Sequence, residues 1–127
     1  MKRKYLLLLM PFLLFSLLGC GTRAPSAEVS NVRTASTIVR FNLTTRDRSS
    51  LVDSIEVRLI RSDDRVLDTI KESDGISAHG LYNDLQFHIG RLQPGTYDIA
   101  VVVDYTEDDI VFNEIELDRI SFEISDS

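Results

Sequence analysis

The feature that most limits what this chain can fold into is a period of two. Val39, Phe41 and Leu43 alternate with Arg40, Asn42 and Thr44, and Ile55, Val57 and Leu59 alternate with Glu56 and Arg58. Leu85, Phe87 and Ile89 flank Gln86 and His88, and Tyr97, Ile99, Val101, Val103 and Tyr105 share one parity in the strongest run. Successive side chains of an extended strand point to opposite faces, so each run has one apolar face for a core. No convincing helical spacing of apolar residues occurs from Thr37 onward. Six or seven strands without a helix predict an all-β, antiparallel two-sheet sandwich, with a closed barrel as the alternative.

The connections carry their own signals. "RSDDR", residues 61–65, supplies a tight polar turn into "VLDTI", which reads as a hairpin. "KESDGISAHG", residues 71–80, has turn formers and no periodicity, so it reads as a long loop, either mobile or functional. In the last segment Ile115 and Leu117 share one parity while Ile120, Phe122 and Ile124 share the other. A slip of one residue near Asp118 and Arg119, through a β-bulge or a crossing between sheets, keeps both sets out of water. On the opposite face of the strongest strand lie Asp98, Ala100, Val102 and Asp104, apolar at the centre. Either that centre is covered, as in an interior strand, or it offers a small adhesive patch to a partner.

The other end of the chain is different in kind. Lys2, Arg3 and Lys4 precede "LLLLMPFLLFSLLG", the layout of an export signal. The 16 residues from Tyr5 to Cys20 reach only ~24 Å as a helix, short of the roughly 30 Å hydrocarbon core, so the run is not expected to span a membrane. Leu17-Leu18-Gly19-Cys20 resembles the lipobox of bacterial lipoproteins. That resemblance implies a diacylglyceryl thioether and an N-acyl chain on Cys20, with cleavage between Gly19 and Cys20. A thiolate is the nucleophile such chemistry needs, and a small residue leaves the adjoining backbone open to a peptidase. Gly21 in place of Asp implies, on the same resemblance, passage to the outer membrane where the cell has one. Two or more acyl chains hold a protein stably on a bilayer without spanning it.

The expected organisation is therefore a signal peptide at 1–19, a lipidated cysteine and flexible tether at 20–36, and a sandwich domain at 37–127. The tether expectation rests on "GTRAPSAEVSNVRTAS", rich in Ser, Thr, Ala, Gly and Asn. Loss of Lys2, Arg3 and Lys4 leaves 11 basic against 20 acidic residues, a net charge of about −9. Phosphate binding needs a basic patch, so nucleic acid is not an expected partner.

A second resemblance lies in Leu92-Gln93-Pro94-Gly95-Thr96-Tyr97-Asp98-Ile99-Ala100-Val101. It is similar to the L-x-P-G-x-Y strand opening of transthyretin-like, carboxypeptidase-regulatory-like and Cna-B-like domains, which implies an Ig-like or prealbumin-like sandwich. Pro94 and Gly95 fit positions i+1 and i+2 of a type II turn. The Tyr97 ring is placed to close the core, with its hydroxyl free to reach backbone near the turn. Some Cna-B-like relatives form a lysine isopeptide bond from their first strand, but Lys71, the one lysine beyond the leader, sits at a loop edge.

Catalytic chemistry has no constellation to carry it. His79 and His88 are the only histidines, and no H-E-x-x-H, paired cysteine or G-x-S-x-G occurs. The expectation is a non-enzyme, with His79 a solvated loop residue. Hard cations want several converging oxygens, for which Asp104, Glu107, Asp108 and Asp109 are the candidate ligands, with Asp63-Asp64 in a second acidic turn. No calcium-loop spacing is present, and acidic turns are ordinarily solvated. The reading is a lipid-anchored envelope protein whose sandwich binds an envelope protein or glycan or serves structurally. The alternative is a calcium-dependent or carbohydrate-binding surface domain.

Overall fold

The structure is a computed structural model that describes residues 24–35, 37–88 and 90–125. The leader, Gly19 and Cys20 lie outside the described residues. Seven strands follow in order: β1 (Ser26–Thr34), β2 (Ile38–Arg46), β3 (Val52–Arg61), β4 (Val66–Lys71), β5 (Gly80–His88), β6 (Gly95–Glu107) and β7 (Ile110–Ile124). A 3₁₀ turn at Glu72–Asp74 precedes β5. The strands form two antiparallel sheets, ordered β1-β2-β5 and β4-β3-β6-β7. This is the sandwich rather than the barrel, in an arrangement compatible with an Ig-like fold.

The alternating residues do what their period requires. Val39, Phe41, Leu43, Val57, Leu59, Phe87, Ile99 and Val101 have no exposed surface. They meet Ile55, Tyr97 and Val103 in one core between the sheets. Phe41 and Phe87 stack across β2 and β5 with ring centroids 5.3 Å apart, an offset aromatic contact of the kind that adds to simple burial. The outer face of β6 is covered: Ala100, Val102 and Ile60 form a second small buried cluster.

One boundary differs from the sequence reading. Ser26–Thr34 lies within the stretch expected as tether, yet it forms β1, paired with β2 from Ser26↔Arg46 to Thr34↔Val39. Val29 is buried, and Ala27 and Val32 pack against the core. The reason is geometric. Between Ser30 and Arg33 two residues oppose one on β2, with Asn31 at φ 53°, so the apolar parity switches from Val29 to Val32 and no clean alternation survives.

The same device recurs on other edge strands. In β5 the inward set passes from Tyr82 to Leu85 across a register shift, with Asp84 at φ 77°. In β7 Phe112 passes to Ile115 across a shift with Glu114 at φ 50°. A left-handed residue without glycine is costly unless its backbone groups find partners. Here the single residue opposite supplies one: Asn42 Oδ1 accepts the Asp84 N–H at 3.0 Å, and Asp104 Oδ1 accepts the Glu114 N–H at 2.7 Å. Bulges twist edges away from pairing with another chain.

The expected slip near Asp118 is a bulge within β7, since Val101 faces Asp118 while Val102 faces Glu116. It keeps Ile115, Leu117, Ile120, Phe122 and Ile124 against the core. It also turns Asp118 toward the other sheet, where its Oδ2 accepts the Val29 N–H at 2.7 Å and ties β7 to β1.

Candidate functional site

Besides the Arg33, Arg40 and Asp84 ion pairs on the β1-β2-β5 sheet, polar groups that bear on a site collect in three places among the described residues. The first is the outer face of β3, β6 and β7. Arg58 donates from Nε to Glu56 Oε1 at 2.5 Å and from NH2 to Glu114 Oε1 at 3.3 Å. Arg119 bridges the neighbouring strands, with NH1 2.6 Å from Asp98 Oδ2 and NH2 2.8 Å from Glu116 Oε2. The Ser121 hydroxyl donates to Asp98 Oδ1 at 2.6 Å. Aliphatic stems of such arginines can cover apolar surface while their heads stay in water, and this lattice stands over Ala100 and Val102.

The charges are mutually supported. The Ser121 hydroxyl and then the Arg119 guanidinium hold the Asp98 carboxyl below its ordinary range, against partial burial. Arg119 likewise holds Glu116 low, and its own pKa is raised in return by Glu116 and Asp98. Partial burial works against the Arg58 cation, but Glu56 and Glu114 outweigh it and raise its pKa. Beside this lattice a shallow cleft of ≈ 200 Å³ is lined by Ser54, Glu56, Arg58, Val102, Asp104 and Glu114. Its groups can donate and accept hydrogen bonds to a polar ligand. The Ser54 hydroxyl donates to Asp104 Oδ2 at 3.2 Å, and neither histidine lines the cleft.

The second place is the acidic hairpin tip. Thr106 and Glu107 belong to β6, and the turn proper is Asp108-Asp109, both left-handed at φ 53° and 65°. That is the signature of the two-residue primed turn whose twist suits a hairpin, and aspartate tolerates it better than most residues. The candidate ligands are not brought together. Asp104 spends both carboxylate oxygens on Ser54 and Glu114, and no group of three or more metal-ligating side chains occurs among the described residues. In the other acidic turn, Arg61 hydrogen-bonds Asp63 and lowers its pKa to about 2.

The third place closes one end of the sandwich, and sequence reasoning missed most of it. Asp47, after β2, accepts the Leu51 and Val52 N–H groups at 2.8 and 2.9 Å. His79 is exposed, but its Nδ1 accepts the Asp47 N–H at 3.0 Å, so it anchors the loop ahead of β5 rather than standing free. Thr45 Oγ1 accepts the Gly80 N–H at 2.9 Å. Ile76 packs into the core, so part of the 71–80 loop is fixed by burial. Gly80 has a steric reason: a Cβ there would stand 2.7 Å from the Tyr82 hydroxyl, the same group that accepts the Ser77 N–H. An Asp five residues ahead of a strand start is the signal that would have found Asp47. His88 ends β5 and is exposed. Lys71 ends the edge strand β4, also exposed.

Pro94, Gly95 and Tyr97 open β6. The Tyr97 ring is buried and stacks on Phe122 at 5.9 Å, and its hydroxyl donates to Gln93 O at 2.5 Å. A tyrosine near the start of the sixth strand bonding backbone four residues upstream has the geometry of the tyrosine corner known from Ig-like sandwiches, with which the fold is compatible. Gly95 has φ 147° and already pairs with Ile124. That φ lies well beyond the roughly +80° of a type II turn, so the proline and glycine lead into the strand rather than forming that turn.

No protein-family model matches the chain, and no curated protein matches it.

Proposed function

We propose that the chain is a lipid-anchored bacterial envelope protein whose sandwich is a non-catalytic binding or structural module, held on the outer membrane through acyl chains on Cys20. The observation that carries the reading is Leu17-Leu18-Gly19-Cys20 behind a basic head and a short apolar run. The position of the sandwich supports it, because β1 begins only six residues after Cys20. The resemblance of Leu92–Val101 to transthyretin-like and carboxypeptidase-regulatory-like domains of secreted proteins supports an extracytoplasmic sandwich.

The surface we assign to a partner is the outer face of β3, β6 and β7, where Glu56, Arg58, Asp104 and Glu114 frame a polar cleft. It suits hydroxyls of a glycan or the backbone of an envelope protein. Anchoring raises the effective concentration of such a module at its target. Mass spectrometry of the protein from its native host tests the anchor, which is lost if Cys20 is unmodified. Affinity capture from solubilised envelopes, comparing the native chain with Arg58→Glu, tests the face. The expected result is a specific protein or glycan retained by the native chain and lost by the variant.

A further inference from the structure

Two observations meet at one end of the sandwich. Ile110 and Val111, directly after the Asp108-Asp109 turn, are 56% and 58% exposed. They are consecutive residues at the start of β7, so one apolar side chain leaves each face of the hairpin at its tip, and further in Phe112 and Tyr105 stack on each other with centroids 4.8 Å apart. The hairpin is thus braced just below its tip.

The second observation is where the chain enters the domain. Ser26 pairs with Arg46 at the end of β2. The short connection after Arg46 leads to Leu51, whose carbonyl accepts the Thr106 N–H at 3.1 Å, and Val52 pairs with Tyr105. Ser26 and the β6–β7 tip therefore lie at the same end. The bond from Val29 to Asp118 sets Val29 level with Val101, the register partner of Asp118. From that level β1 extends three residues back to Ser26, while β6 continues six to Glu107. The tip projects past Ser26 by about three residues, roughly 10 Å at ~3.4 Å per residue.

Had the domain begun after residue 36, a lipid on Cys20 would have been separated from it by up to roughly 60 Å of chain. With β1 starting at Ser26, six residue steps remain, at most ~22 Å when fully extended. We infer that this end of the sandwich faces the bilayer and that Ile110 and Val111 seat in the lipid interface, a second, non-covalent membrane contact beside the acyl anchor. The inference rests on the anchored reading. Glu107 pairs across from Ile110 and Asp108-Asp109 form the turn beyond it, so the surface this tip fits is a zwitterionic lipid one, where the carboxylates meet the choline layer, since anionic headgroups would repel them.

The chain contains no tryptophan, so Ile110→Trp makes a single reporter at the tip and Arg91→Trp a single reporter at the opposite end. The full protein, purified from host membranes and checked by mass for its acyl chains, is placed in phosphatidylcholine vesicles carrying brominated acyl chains. The expected result is a blue-shifted, strongly quenched Trp in the Ile110→Trp protein and an unquenched one in the Arg91→Trp protein. Because tryptophan itself favours interfaces, the unsubstituted chain is read in parallel by amide hydrogen exchange, which should slow across 105–112 on vesicles. Solvent-like, unquenched emission with no exchange protection, in protein that carries its lipids, overturns the inference and leaves the anchor standing. Blue-shifted but unquenched emission also overturns it, because a second protein copy then covers the tip. Absence of acyl chains on Cys20 removes the anchored reading, and this inference with it.

Discussion

The two ends of the sandwich treat apolar surface in opposite ways. At the end where β6 begins, Leu92 and Tyr97 are buried, Tyr97 lies against Phe122, and its hydroxyl satisfies a backbone carbonyl. At the end where β6 finishes, the hairpin carries Ile110 and Val111 into solvent, and Leu81 beside Gly80 is 68% exposed. The same strand ends at both sides in a tyrosine–phenylalanine stack, but only at the second does a hairpin run on past the stack with its apolar residues in solvent. That open end, beyond a core already closed by Tyr105 and the Asp47 loop, is the property to be explained.

The largest expected effect tests the closed end. Tyr97→Ala should cost about 3–5 kcal/mol, the range for removing a large buried ring, while the half-buried Tyr105→Ala should cost about 1–2 kcal/mol. Chemical denaturation of both proteins gives the difference directly, and equal losses would erase the contrast between the ends. Tyr97→Phe, which keeps the ring and removes only the bond to Gln93, should cost about 1 kcal/mol.

Next comes the polar clasp at the open end. Asp47→Ala leaves the Leu51 and Val52 N–H groups without their acceptor, which should destabilise by about 1–3 kcal/mol. Faster hydrogen exchange at Leu51 and Val52 should accompany it. A loss below 0.5 kcal/mol would mean that water replaces the carboxylate and that this end is held mainly by packing.

The arginine lattice between the ends gives a smaller, pH-dependent term. Asp98 and Glu116 have folded-state pKa values below their ordinary 3.8 and 4.5. The sign follows from linkage: a carboxylate with a depressed pKa stabilises the fold above its unfolded value, and that contribution disappears as pH falls through the folded value. Stability should be level above about pH 5 and decline below 4. In Arg119→Gln the decline between pH 4.5 and 3 should be shallower in urea titrations, and an unchanged slope would show that other carboxylates set acid stability.

How much of this was legible in the sequence depends on where bulges fall. Val39 to Leu43, Ile55 to Leu59 and Tyr97 to Tyr105 keep a clean period of two, and their inward faces are buried as that period requires. Strand β1 was hidden because Asn31 switches parity after Val29, and because its Ser, Ala and Thr residues read equally well as tether. The slip at Asp118 was visible because large residues flank it on both parities, whereas the one at Glu114 separates only Phe112 from Ile115. Side-chain partners such as Asn42 for Asp84, Asp47 for Leu51 and Asp118 for Val29 depend on strand register. Register follows from the apolar pattern of both paired strands together with the turns between them, so a bulge that no single run of residues reveals decides which polar side chains meet.

The smallest expected change in stability belongs to the residues with the most distinctive exposure, and that mismatch separates a structural role from an interfacial one. Ile110→Ser with Val111→Ser removes apolar groups that the fold leaves more than half exposed, so denaturation midpoints should move by no more than about 0.5 kcal/mol equivalent. If the pair instead braces the hairpin, the double variant should lose stability comparable to Tyr105→Ala. The outcomes differ again on vesicles. An interfacial pair predicts that the variant, still acylated, loses exchange protection across 105–112 while its solution stability is unchanged. A bracing pair predicts faster exchange there with or without lipid. The Tyr105–Phe112 stack lies two register steps inside the closing Glu107–Ile110 pair and supplies the brace independently of both side chains, which favours the first outcome.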